Sequence, residues 1–202
     1  MEGTRLLFLD FEFTMPESKR KPHGFYPEII EVGAVFVQED VQDTFSSYVR
    51  PMRFPLLTER CKSFLNVSQE DIDGGISFLE LMVALRQYEG ATLITWGNMD
   101  VRVLQQNCAA AGIVCPFQTH RDLSLEYKHF FGDRNQTGLW KAIESYGKKG
   151  TGKHHRALDD ALTTYNIFKL VEKDKQYLVK PAPPTIGDRV DFSKLLKRVS
   201  TN

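Results

Sequence analysis

Residues 6–14 read Leu-Leu-Phe-Leu-Asp-Phe-Glu-Phe-Thr, an apolar, strand-forming run interrupted by two acids, Asp10 and Glu12. Side chains two apart in a strand share a face, so both carboxylates converge near the end of an otherwise buried element. A solvent-facing acidic pair is the simpler alternative, but Leu9, Phe11 and Phe13 already supply an apolar face and the strand opens with a continuous apolar run. Two carboxylates about 4 Å apart repel by several kcal/mol even at a surface-like dielectric. No Lys or Arg is adjacent in sequence, so an oxygen-seeking divalent cation, Mg²⁺ or Mn²⁺, is the natural counter-charge. Such a cation requires further carboxylates at the ends of other elements.

The sequence around this strand sets the fold class. After a polar loop, "EIIEVGAVFV" reads as a second strand and "DTFSSYVRP" as a third, closed by Pro51. Short links and period-2 alternation make the three antiparallel. The rhythm then changes: "ISFLELMVALRQYEG" has helical spacing, "TLITW" is a short strand, and "DVRVLQQNCAAAGI", "TGLWKAIESYG" and "HRALDDALTTYNIFKLVEK" are helices. The expected fold is α/β, with a single sheet of mixed direction, three antiparallel strands followed by parallel pairing, flanked by helices. Residues 1–173 form the expected domain. Residues 174–202, with "KPAPPTIGDRV" and a basic amphipathic end, are expected to be a linker and appendage that packs on the domain or contacts a protein partner.

Two further acids meet the requirement. Asp100 falls where a strand gives way to a helix, at the strand end where α/β sheets place their sites, although a helix N-terminal acid also favours the dipole. In "HHRALDDALTTYNIF", helical spacing puts Asp159 with Thr163 and Asn166, and Asp160 with Thr164 and Ile167 on the packed side. His155 precedes that helix, within reach of Asp160, and a neutral imidazole there can take a proton from an activated water. His154 is the alternative by spacing.

In order and spacing, "DFEFT", "GNMDVRVL" and "HHRALDDA" resemble the three motifs of the DEDDh 3′–5′ exonucleases. The family's last motif is a histidine, four residues, then aspartate; Ala161 and the helix-face argument favour His155 with Asp160 over His154 with Asp159. The resemblance implies an RNase H-like fold on a mixed five-stranded sheet, three antiparallel strands then parallel ones, and two Mg²⁺ or Mn²⁺ ions held by Asp10, Glu12, Asp100 and Asp160. Glu12 and His155 would be catalytic, with His155 as general base. Between the motifs, "PEIIEVGAVFV", "DTFSSYVRP" and "CKSFLNVSQEDID" resemble the histone-mRNA and small-RNA exonuclease branch, which implies single-stranded 3′ ends as substrate, with RNA preferred over DNA. Likeness to an exonuclease-like inhibitor of the sporulation-kinase pathway implies a regulatory role in sporulation. A non-catalytic interaction protein on the same fold is the alternative.

"FLNV" departs from the Leu-Thr-Gly-Ile pattern frequent in the family, yet Asn66 tolerates the left-handed conformation of the missing glycine. Phe64 is then expected against a terminal sugar or base, and Phe13 and Thr14 at the terminal nucleotide. Formal net charge is zero, so nucleic acid must be drawn by a local patch. The loop "GKKGTGKHHR" supplies one, with Lys148, Lys149, Lys153 and Arg156 suited to phosphates. With 42% hydrophobic and 26% charged residues, no apolar run of bilayer length and no secretory leader, a cytoplasmic protein without membrane attachment is expected. Cys61, Cys108 and Cys115 show neither metal-ligand spacing nor a disulfide framework, and are expected to be reduced.

Overall fold

The computed structural model describes residues 4–20 and 22–179. The acidic run forms the central strand β1 (Arg5–Phe13), paired antiparallel with β2 (Ile29–Gln38), which pairs antiparallel with β3 (Val41–Arg50). On the other side of β1 lies parallel β5 (Thr92–Thr95) and then parallel β6 (His120–Asp122), while β4 (Ile76–Ser77) extends the β3 edge. The sheet order is β4-β3-β2-β1-β5-β6. It has six strands where five were expected. The short elements β4 and β6, of two and three residues, are too brief to show alternation.

The helices are α1 (Glu59–Leu65), α2 (Gln69–Asp73), α3 (Phe78–Arg86), α4 (Met99–Ala110), α5 (Leu123–Phe131), α6 (Leu139–Ser145) and α7 (Ala157–Val179). Segment "CKSFLNVSQEDID" holds most of α1 and all of α2, started by Thr58 and Ser68 accepting from the Cys61 and Asp71 N–H groups. Asn66 ends α1 in the left-handed region, φ 52° and ψ 50°, as its place in "FLNV" suggested.

One sheet face packs on α3 and α4 through Leu7, Leu9, Val32, Leu81, Leu85, Leu93 and Leu104. On the other, Phe8 meets the Tyr165 and Phe168 rings of α7 at 5.0 and 5.2 Å. Burial of such side chains stabilises by roughly 1.5–3 kcal/mol each, which is what holds the acid-bearing end of β1 in a fixed frame. The chain falls into two compact units, one through Lys169 and one from Leu170; of the second, the described part is the continuation of α7. The boundary expected after residue 173 falls within that helix. The expected appendage from residue 180 onward lies outside the described residues. Among the described residues no helix is long and apolar enough to cross a membrane, and the three cysteines are free thiols.

Candidate active site

Pairing of β1 with β5 stops at Phe8–Ile94, so beyond it the β1 edge opens into a cleft that Asp10 and Glu12 share. Asp100, in the first turn of α4, takes over where the ladder ends: its Oδ1 accepts from the Phe11 N–H at 3.0 Å. Asp160, in the first turn of α7, is held from two sides. Trp140 Nε1 donates to its Oδ1 at 2.7 Å and the His155 backbone N–H to its Oδ2 at 3.1 Å. Oxygens of Asp10, Glu12 and Asp160 all lie within 4.8 Å of one another.

His155 adopts a left-handed backbone conformation, φ 63°, and its Nδ1 comes 3.8 Å from Glu12 Oε1. Its ring stacks on His154 at 3.9 Å and meets the Phe64 ring at 4.4 Å. Both histidines line the cleft of about 220 Å³, along with Phe11, Phe13, Trp96 and Leu139; among the described residues the ion-pair contact with Glu12 is made by His155.

The electrostatics are those of an acidic cluster that the charge of Arg156, engaged on Glu31, offsets only in part. Burial first, then the neighbouring carboxylates, push Glu12 up to about 8 and hold Asp10 well above the carboxylate range. Burial lifts Asp100 to about 7 against the opposing Phe11 hydrogen bond, and raises Asp160 despite its Trp140 and His155 donors. Among the described residues no Lys or Arg is within ion-pair distance of these four acids. Burial and the adjacent His154 lower His155, keeping its imidazole neutral near pH 7. An all-oxygen donor set short of positive charge fits hard divalent cations.

A second set of contacts, not anticipated from the sequence, brings His155 and Asp160 to β1. A Cβ on Gly33 would lie 2.1 Å from the Ala157–Leu158 backbone, so only glycine lets β2 meet the start of α7 main chain to main chain. Beside it, Glu31, opposite Glu12 in the ladder, accepts from Arg156 Nε at 3.1 Å, and the Arg156 guanidinium lies 5.1 Å over the Tyr48 ring. An acid inside the apolar run "EIIEVGAVFV" was the available signal, of the same kind as Asp10 and Glu12. Trp140 gave none, since its sequence position says nothing of its indole N–H.

The remaining expected residues divide. Phe13 is half-buried at the cleft and Phe64 is 52% exposed against His155. Thr14 is buried, its Oγ1 accepting from the Glu28 N–H at 2.9 Å, and Arg156 turns inward to Glu31, so the fold itself engages both side chains. Lys148, Lys149 and Lys153 are exposed on the loop before α7, which is pinned by the Thr151 N–H donating to Thr163 Oγ1 and the Lys153 N–H to Asp159 Oδ2.

An acidic cluster with a neutral histidine, at the open end of the central strand of a mixed sheet, defines a nuclease of the DEDDh type. Residues 7–168 match the model of the Exonuclease family, and the chain belongs to that family. It is 58% identical over 205 residues, 99% of this chain and 100% of the relative, to "Probable 3'-5' exonuclease KapD" of Bacillus subtilis (strain 168). ERI1 exoribonuclease 2 of Mus musculus is 26% identical over 189 residues, 79% of this chain and 27% of that protein. The nuclease domain of 3′hExo, a DEDDh family member solved bound to rAMP, matches with a TM-score of 0.76 at 26% identity, covering 85% of this chain and 93% of that one.

Proposed function

We propose that this enzyme removes nucleoside monophosphates from single-stranded 3′ ends, RNA in preference to DNA, by hydrolysis at a site loaded with two Mg²⁺ or Mn²⁺ ions. The observation that carries the reading is the convergence of Asp10, Glu12 and Asp160 oxygens within 4.8 Å, with His155 Nδ1 3.8 Å from Glu12. Divalent cations held by Asp10, Glu12, Asp100 and Asp160 would supply positive charge to the scissile phosphate and acidify the attacking water. Neutral His155 accepts that water's proton as general base. Glu12 faces the imidazole and favours the imidazolium that results. Trp140 and the His155 backbone N–H hold Asp160 to one rotamer, and Phe11 N–H does the same for Asp100. Phe64 and Phe13 flank the terminal nucleotide, and Lys148, Lys149 and Lys153 meet its backbone.

RNA preference rests on likeness to the exoribonucleases, and is tested with matched 5′-labelled RNA and DNA oligonucleotides. A metal-dependent ladder shortening from the 3′ end, lost in Asp10→Ala and faster on RNA, is the expected result. No cleavage by folded, metal-supplied protein would overturn the activity, and equal rates would overturn the preference. The same proposal places the protein in the cytoplasm and gives residues 174–202 to a partner-contacting appendage, with a regulatory role in sporulation carried by likeness alone. Truncation after residue 179 is expected to alter that role while free oligonucleotides are still cut; loss of both would make the segment part of the fold.

A further inference from the structure

A second cleft, of about 450 Å³, lies beside the candidate active site between α5 and α6. Tyr127, Phe131 and Tyr146 give it an aromatic side, and Lys141, Thr137, Ser145 and Asp133 a polar one. The rings form a connected cluster: Tyr127 to Phe131 at 4.5 Å, Phe131 to Tyr146 at 5.9 Å. Phe131 is 45% exposed, so an apolar ring face is open to a ligand at the surface. A polar rim with a single lysine and an open phenyl ring is what a nucleobase and its phosphate require.

The two clefts share a wall. Trp96 lines the active-site cleft, its ring is 5.6 Å edge-on from Tyr127, and its Nε1 donates to the Thr137 carbonyl at 3.0 Å. Leu139 in the first cleft and Lys141 in the second sit on the same helix, α6. Charge bears on the occupant: Lys141 and Asp133 are the charged groups of the lining, and the sequence that carries the cleft, residues 127–149, adds Lys128, Arg134, Lys148 and Lys149 against Glu144 in a chain of zero formal net charge. Asp133, the acid lining the cleft, is engaged by Thr137 Oγ1 at 3.2 Å. Trp96 thus joins the wall of one cleft to the wall of the other, and a polyanion whose chain crossed it would reach Lys141, whereas an apolar protein segment would leave the positive excess of this sequence unmatched.

Building on the proposed exonuclease reading, we infer that the α5–α6 cleft is a subsite for an upstream nucleotide of the same strand, its base on Phe131 and its phosphate at Lys141. Terminal-nucleotide chemistry then remains with the carboxylates, and length dependence comes from this cleft.

The test is a length series from dinucleotide to decamer, as single-stranded RNA and DNA, with wild type, Phe131→Ala and Lys141→Glu. The expected result is a wild-type kcat/KM that rises with length, and a loss on the decamer roughly tenfold greater than on the dinucleotide in Phe131→Ala, mainly in KM. Lys141→Glu, an exposed substitution with no packing consequence, should do the same and steepen with falling salt. Length dependence identical to wild type in both variants would overturn the subsite. Fluorescence anisotropy of a 5′-labelled decamer, in a His155→Ala background, separates this from the activity reading. Weakened binding in Phe131→Ala keeps the subsite even if nothing is cleaved, and unchanged binding rejects it even if cleavage is fast.

Discussion

Gly33→Ala tests how the site is assembled, because the residue lies in β2 and carries none of the site's functional groups. The added methyl would meet Ala157 C and Leu158 N at 2.1 Å, whereas ordinary contact begins at 3.4 Å, so β2 and the start of α7 must part by about 1.3 Å. Backbone on both sides leaves no flexible side chain to give way. Overpacking of this kind costs about 1–3 kcal/mol, a loss a folded domain of this size tolerates. The larger effect is geometric. His155 and Asp160 ride on the start of α7, and displacement by about 1 Å of groups that must align costs on the order of 100-fold in rate. The assay is kcat/KM on a 5′-labelled oligonucleotide, beside circular dichroism and a thermal melt at the same metal concentration. A folded Gly33→Ala protein, its melting temperature lowered by several degrees, with activity down about 100-fold, is expected. A folded variant with wild-type activity would refute the argument that this backbone approach sets the catalytic geometry.

Carboxylates raised by folding make the metal-free protein less stable as pH rises. Glu12 goes from 4.5 to about 8, so the folded state binds more protons than the unfolded one between those values, and stability is lost as pH climbs through that window; the shift is worth on the order of 5 kcal/mol. Thermal melts in chelator should fall by roughly 10 °C from pH 5 to pH 8.5, with Mg²⁺ or Mn²⁺ restoring most of the loss at the alkaline end; a flat profile would count against the cluster. His155 lies below its ordinary 6.5, so with metal saturating at every pH, and the carboxylates therefore ionised, the rate should decline only below that pH, and a limb above it in such a profile would oppose its role as base. Trp140→Phe keeps the ring but removes the 2.7 Å donor to Asp160. Loss of a hydrogen bond to a charged group, about 1.5–3 kcal/mol, should appear as weaker metal activation in a Mn²⁺ titration, and an unchanged titration would refute it. At Asn66, φ 52°, an alanine should cost about 1 kcal/mol in urea unfolding and a glycine little; equal midpoints would remove the strain argument.

The two strongest sequence signals and the two weakest have physical explanations. Acids two apart in an apolar run are costly without a reason, so Asp10 and Glu12 marked both the central strand and the cleft they line. The helical stripe that carries Thr164 and Ile167 put Asp160 on the buried side, where it is 5% exposed. By contrast β4 and β6 owe their existence to neighbours already in place, β3 and β5, and two or three residues have no period of their own. Arg156 shows the limit of reasoning by charge. A basic residue in a basic loop reads as a phosphate contact, but only the folded pairing of β2 against α7 brings Glu31 within 3.1 Å of it.

That pairing also bears on how four acids can be held together at all. Each carboxylate in the cluster except Asp10 has a named neighbour: Phe11 N–H on Asp100, Trp140 and the His155 N–H on Asp160, the His155 ring beside Glu12. These neighbours orient the oxygens without neutralising them, since among them only a protonated His155 would bring a full charge. Lysines or arginines in their place would have stabilised the empty protein, but would have occupied the oxygens a cation needs. Keeping the nearest guanidinium, Arg156, on Glu31 rather than on Glu12 satisfies both demands, because it ties α7 to β2 while leaving the cluster's charge for the ligand. It follows that Glu31→Gln, which loosens Arg156, should harm activity twice, by slackening α7 and by releasing a cation toward Glu12. Added metal should then recover less activity in Glu31→Gln than in Trp140→Phe, and full recovery at high Mn²⁺ would show that Glu31 does no more than pack.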